Sequence, residues 1–200
     1  MRIALVRHGQ TDWNAAARVQ GATDVPLNDT GRQQAREAAE LIAASGQRWE
    51  GLVASPLERA RVTAEIIGEA LSIPMLGTYE GLRERQYGVI EGLNVFEARK
   101  TYSVNGEWEG EGVELIDDLR ARALQAIDAA ATEHPVDGLL IVAHGTLIRS
   151  VVDLLTGLRT QSIPNTASVL LEGQPGNWRV TDGIVLADEE PLQPAAPLQK

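Results

Sequence analysis

The sequence contains no cysteine, which removes disulfides, zinc–thiolate sites and cysteine nucleophiles together. It is also short of positive charge: 18 Lys and Arg stand against 28 Asp and Glu, giving a formal net charge of −10 and a pI near 4.8. Phosphate-backbone binding needs a cationic face, so a broad nucleic-acid surface is excluded, and any anionic ligand must meet a local cationic pocket. Long apolar runs are missing too. Ile3-Ala4-Leu5-Val6 breaks into Arg7 and His8 too soon for a signal peptide, and no run approaches the ~20 residues of a membrane span. A cytoplasmic protein that does not engage a membrane is expected. Histidine is scarce as well, at three residues. The remainder is an ordinary globular composition, 44% hydrophobic over 200 residues, which supports one core without covalent staples.

Short apolar runs alternate with helical periodicity. Arg2–Val6, Gly51–Ala54 and Gly138–Ala143 read as buried strands. Helices are expected from about Gly31 to Ser45 with Asn28 as N-cap, from Ser55-Pro56 through Leu71, from Ile116 to His134-Pro135, and over Leu147–Leu155. Ala167–Leu171 and Trp178–Leu186 flank Gly173-Gln174-Pro175-Gly176 as a hairpin. This order implies an α/β fold, a three-layer sandwich whose mostly parallel central sheet is covered by helices on both faces. The irregular stretch Ile73–Gly112 carries Tyr79, Tyr87, Phe96, Tyr102 and Trp108 and is expected to form a small cap, centred on about 77–113. Residues 1–187 then make one domain, and 188–200, with Pro191, Pro194 and Pro197, a loose tail.

Three polar interruptions fall where strands end: Arg7-His8-Gly9, Ser55 with Arg59, and His144-Gly145. In a parallel sheet they converge on one edge. A histidine with one unprotonated nitrogen can act as a nucleophile, and arginine forks match phosphoryl oxygens. Two His-Gly pairs after apolar runs therefore suggest a phosphate site, whereas His134, at a helix end before proline, reads as structural. The histidine spacing does not support a metal site, and no cofactor is expected.

Arg7-His8-Gly9-Gln10-Thr11-Asp12-Trp13-Asn14 resembles the signature of the histidine phosphatase superfamily, the phosphoglycerate-mutase-like proteins. The resemblance continues through Arg18-Val19-Gln20-Gly21, Asp24-Val25-Pro26-Leu27, Ser55-Pro56-Leu57-Glu58-Arg59-Ala60, Leu82-Arg83-Glu84 and Val142-Ala143-His144-Gly145-Thr146. It implies that His8 accepts the phosphoryl group as a phosphohistidine. Arg7, Arg59 and His144 would bind its oxygens, with Asn14, Gln20, Gly21 and Gly145 around the pocket. Glu84 would be the general acid and then the base, a role suited to a carboxyl desolvated beneath aromatic residues.

Hydrolysis of a small phosphate ester and phosphoglycerate mutase chemistry share this core. The segment Gly92–Gly112 is shorter than in the mutases the chain resembles, with only Arg99 and Lys100 as basic residues, and Gln20-Gly21 is closer to the phosphatase branch. Hydrolysis is therefore favoured. A non-catalytic phospho-ligand module is disfavoured, because His8, Glu84, His144, Arg7 and Arg59 are all kept. Glu114 falls near the position of a family glutamate; Phe96, Tyr102 and Trp108 are expected first as packing residues of the cap, and where they reach the substrate they suit a neutral or partly apolar body. Apolar sheet edges leave room for a homodimer, although no residue identifies its surface.

Overall fold

A computed structural model describes residues 1–181. The chain opens with β1 (Arg2–Arg7), the short helix α1 (Asp12–Ala15) and α2 (Asp29–Ala44), followed by β2 (Gly51–Ala54), α3 (Glu58–Leu71) and β3 (Met75–Thr78). Two single 3₁₀ turns, Glu80–Leu82 and Gly88–Ile90, lead to α4 (Val95–Tyr102) and a small hairpin of β4 (Ser103–Val104) and β5 (Glu107–Trp108). The long helix α5 (Ile116–Glu133), β6 (Gly138–Ala143), α6 (Gly145–Thr156), β7 (Ser168–Gln174) and β8 (Asn177–Val180) complete the described residues.

Six strands form the central sheet in the order β3-β2-β6-β1-β7-β8. β3, β2, β6 and β1 run parallel, and β7 returns antiparallel beside β1. Strand alternation sends successive side chains to opposite faces. Ile3, Leu5, Leu139 and Ile141 therefore pack with Leu119, Ala123 and Ile127 of α5 and Leu147 and Val151 of α6. Ala4, Val6, Leu140 and Val142 pack on the opposite side against Ala38 and Ile42 of α2 and Ala64 and Ile67 of α3. The expected three-layer α/β sandwich is the observed one.

Local differences from the sequence reading have simple causes. Asn28 does cap α2, accepting the Gly31 N–H at 2.8 Å, so the helix already begins at Asp29. Ser55 does not cap α3: the chain makes one further turn, the helix starts at Glu58, and the Ser55 hydroxyl is free to meet His144. Met75–Thr78, placed within an irregular cap by sequence, is the parallel edge strand of the main sheet. Its half-buried residues and Gly77 carry no apolar run to announce it. The cap thus starts beyond Thr78. Tyr79 does not belong to it, bonding instead through its hydroxyl to Glu133 and the structural His134 at the end of α5. The second hairpin strand is seen to Val180, and the remainder of that expectation, with the tail 188–200, lies outside the described residues.

The loop after β1 is clamped onto α2 by backbone contact. A Cβ on Gly31 would stand 2.0 Å from the Gln10 carbonyl oxygen, and one on Gly9 would stand 2.3 Å from that of Gly31. No side chain can be inserted without pushing the loop away. Gly31→Ala is expected to cost about 1–3 kcal/mol through overpacking, read as a lower melting temperature; an unchanged melt would show that this clamp does not hold the loop.

Candidate active site

β1 and β6 are adjacent and in register, with Arg7 opposite Ala143, so the residues that follow them, His8 and His144, emerge side by side. Their rings meet edge-on with centroids 5.2 Å apart, and both are almost completely buried. His8 Nδ1 lies 2.7 Å from its neighbour's carbonyl, Gly9 O. A carbonyl only accepts, so Nδ1 holds the proton and Nε2 keeps its lone pair. The His8 backbone is fixed in turn by Asn165, whose amide donates to His8 O at 2.9 Å, and the Gly9 N–H donates to Thr63 Oγ1 at 3.0 Å.

The side chains around this ring are cationic donors with unmet capacity. Arg59 is fully buried and donates to the carbonyls of Thr23 and Gly21, each at 2.8 Å. Arg7 donates to Ile163 O. The Nε atoms of both arginines and Nδ1 of His144 are buried without a partner, while His144 Nε2 meets Ser55 Oγ at 2.8 Å. Unpaired buried donors are costly, and a tetrahedral oxyanion is the ligand that would satisfy several at once. Burial, then the charges of Arg59 and Arg7, pushes the His8 pKa well below the ordinary histidine value. His144 moves the same way, through burial first and then Arg59 and His8. Burial also lowers Arg59, to about 10, which leaves it cationic at neutral pH.

Glu84 closes the pocket from the cap side, on a wall it shares with the expected aromatic neighbours Tyr87 and Trp108. Three backbone N–H groups hold it: Thr146 on Oε2 at 3.0 Å, and Leu147 and Arg85 on Oε1 at 3.1 and 2.9 Å. Two of these belong to the first turn of α6, whose amides have no partner within the helix. Arg122 fixes the segment from behind, donating to the carbonyls of Gly81, Arg83 and Glu84. Glu114 serves that support: it pairs with Arg122 and accepts the Gln86 N–H, and so sits behind the pocket rather than in it.

A cavity of about 270 Å³ joins Arg7, His8, Asn14, Arg59 and Glu84, with Gln20, Gly21 and Gly145 also on its wall. The catalytic and phosphate-binding residues expected from the sequence thus converge, all on this wall except His144, which is fully buried with its ring against that of His8. Asn14 Oδ1 is occupied by the Thr11 N–H at 3.1 Å, leaving its amide nitrogen to the cavity. Gly21 has φ +56°, and a Cβ there would overlap the Glu91 carboxylate. Glu91-Gly92 belongs to the segment that resembles the family's acid-donor motif, but the role of this carboxylate is not expected from it: it accepts from the backbone of Ala22, Thr23 and Tyr87 and from the Thr23 hydroxyl, tying the Gln20–Thr23 loop to the cap. The outer wall is mainly cationic. Of Phe96, Tyr102 and Trp108 only Trp108 lines it, Phe96 being 66% exposed, and Arg18, Arg99 and Arg149 stand beside it. Among the described residues no group of three or more metal-binding side chains occurs, and no helix is long and apolar enough to cross a membrane.

A neutral buried histidine with a free nitrogen, ringed by guanidinium donors and faced by a carboxyl, defines a phosphoryl-transfer site on an α/β sheet. The profile of the Histidine phosphatase superfamily (branch 1) matches residues 3–183, and the chain belongs to that family. It is 36% identical over 184 residues to the Uncharacterized phosphatase PhoE of Bacillus subtilis, covering 90% of this chain and 92% of that protein. It is 33% identical over 202 residues to a 2,3-bisphosphoglycerate-dependent phosphoglycerate mutase of Methylobacterium, covering 95% and 96% respectively. The solved mycobacterial glucosyl-3-phosphoglycerate phosphatase in complex with VO3 superposes with a TM-score of 0.77 at 29% identity, covering 90% of this chain and 96% of that one.

The depressed histidines link stability to pH. Their neutral forms are favoured only in the folded state, so below pH ~6.5 the unfolded chain takes up protons that the fold refuses. Their contribution is complete above that pH and is lost as pH falls toward the folded values. The His8 and His144 ring signals are expected to remain those of neutral imidazole at pH ~6 while the melting temperature drops below pH ~6.5. Protonated rings at pH ~6 would contradict the assignment.

Proposed function

We propose that the chain is a metal-independent phosphomonoester hydrolase working through a phosphohistidine on His8. The observation that carries this reading is the free Nε2 of His8 beside the unmet donors of Arg7, Arg59 and His144. Nε2 attacks phosphorus in line and the phosphorus–oxygen bond of the ester breaks. Arg7, Arg59, His144 and the Asn14 amide hold the three equatorial oxygens and stabilise the charge that spreads over them. Glu84, at the mouth, gives its proton to the leaving oxygen. It then takes one from the water that attacks the phosphohistidine, and phosphate is released. Residues 1–187 act as the catalytic unit.

The substrate is a small phosphate ester, neither a nucleic acid nor a membrane lipid. Arg18, Arg99 and Arg149 on the outer wall favour a body that carries an anion of its own over the neutral body suggested by the aromatic residues. The same cationic wall, with the relationship to a phosphoglycerate mutase, supports a second reading in which the phosphoryl group returns to another hydroxyl of a phosphoglycerate. A cytoplasmic enzyme, alone or as a homodimer, completes the proposal.

Phosphate release from a panel of monophosphate esters, run beside conversion of 3-phosphoglycerate to 2-phosphoglycerate, separates the two. Release without isomer conversion, abolished in His8→Ala and reduced about 10²–10⁴-fold in kcat by Glu84→Gln, is the expected result; conversion without net release would establish the mutase. Activity is expected to survive excess EDTA, and loss that a divalent ion restores would overturn metal independence.

A further inference from the structure

Behind the wall of the reaction cavity lies a second one, of about 260 Å³, under the β4–β5 hairpin and against α5 and α6. Arg99, Trp108 and Arg149 belong to both walls. Arg85, Arg120 and Arg159 face the second cavity alone, so five guanidinium groups meet there against only two carboxylates, Glu107 and Asp153. In a chain of net charge −10 this is a local reversal of sign.

The two carboxylates do little to neutralise the arginines. Arg85, which is buried, approaches Glu107 only to 3.9 Å. Asp153 directs Oδ1 to the Thr160 N–H at 2.6 Å. Arg120 pairs with Asp117 at 3.0 Å, yet its Nε is buried without a partner. Arg99, Arg149 and Arg159 form no ion pair among the described residues. Like charges gathered in a recess, with an unmet donor among them, are stabilised by an oxyanion that several forks can share.

We infer that this cavity is a second oxyanion site, distinct from the one around His8, and that it takes a phosphate group. Arg99 and Arg149 couple it to the reaction cavity. An anion bound behind them offsets the positive charge they present to an incoming substrate. Occupancy therefore raises KM for anionic esters and leaves kcat unchanged. This coupling rests on the function proposed above, whereas the site itself does not.

The test is calorimetric titration of inorganic phosphate into the full chain saturated with orthovanadate, which occupies the phosphoryl position around His8. The comparison is a variant carrying Arg120→Ala and Arg159→Ala, two side chains that line the second cavity only. One phosphate per wild-type chain, weakened at least about tenfold in the variant, is expected. p-Nitrophenyl phosphate hydrolysis by that variant should stay within about twofold of wild type. No binding to the vanadate-saturated wild type up to about 10 mM phosphate, or equal affinity in the variant, overturns the site. Repeating the titration with glycerol phosphate identifies the source: tighter binding than inorganic phosphate assigns the site to a phosphorylated metabolite, weaker binding to free phosphate, and both outcomes support it. An arginine-dependent site in a chain that hydrolyses nothing would support this inference and sink the phosphatase reading.

Discussion

The pairing of β1 with β6 governs everything else in this molecule. Those two strands are central, parallel and in register, and each is followed by a histidine and a glycine. Had β6 slipped by one residue, its side chains would have exchanged faces, and the two apolar layers on α2–α3 and α5–α6 could not both be filled. The burial that fixes the register therefore also fixes the 5.2 Å approach of the two imidazoles. Catalytic geometry is here a by-product of core packing, obtained without a metal-binding cluster or a disulfide among the described residues.

The cost of this arrangement is electrostatic. Arg59 is wholly inside, and Arg7 comes close to the same ring. Backbone carbonyls of Thr23, Gly21 and Ile163 take part of their hydrogen-bonding capacity and leave the rest for a ligand. A site preorganised in this way need not reorganise when negative charge develops, which is the largest contribution to many phosphoryl and acyl transfers. Burial first, and then the same cations, favour the neutral form of both histidines, which leaves His8 Nε2 its lone pair.

Much of this was legible in the sequence, for a physical reason. Strands buried on both faces are written as continuous apolar runs, so β1, β2 and β6 announce themselves, and the polar residues interrupting them lie at the sheet edge where ligands bind. The edge strand β3 escaped because it is only half buried and so follows no such rule. The supporting residues escaped because their roles are non-local: Asn165 reaches His8 across 157 positions, and Glu91 reaches Thr23 across 68. Nothing near Asn165 distinguishes it from an ordinary polar side chain, and the motif that contains Glu91 does not show which backbone groups its carboxylate meets. In the cap, the packing role expected for the aromatic residues holds for Tyr102 and Trp108. Tyr87, Ile90 and Ala98 form a small core of their own, against which Tyr102 and Trp108 rest.

Glu91 gives that separate little core a further significance. One carboxylate grips the backbone on both sides of the cavity mouth, at Ala22 and Thr23 on the loop and at Tyr87 on the cap. The same loop supplies the two carbonyls that aim Arg59. Cap and loop are thus tied together through one carboxylate. Displacing the cap would pull on the loop whose carbonyls orient Arg59. Cap and loop share these hydrogen bonds, so enlarging the entrance by loosening them would trade breadth of substrate against rate.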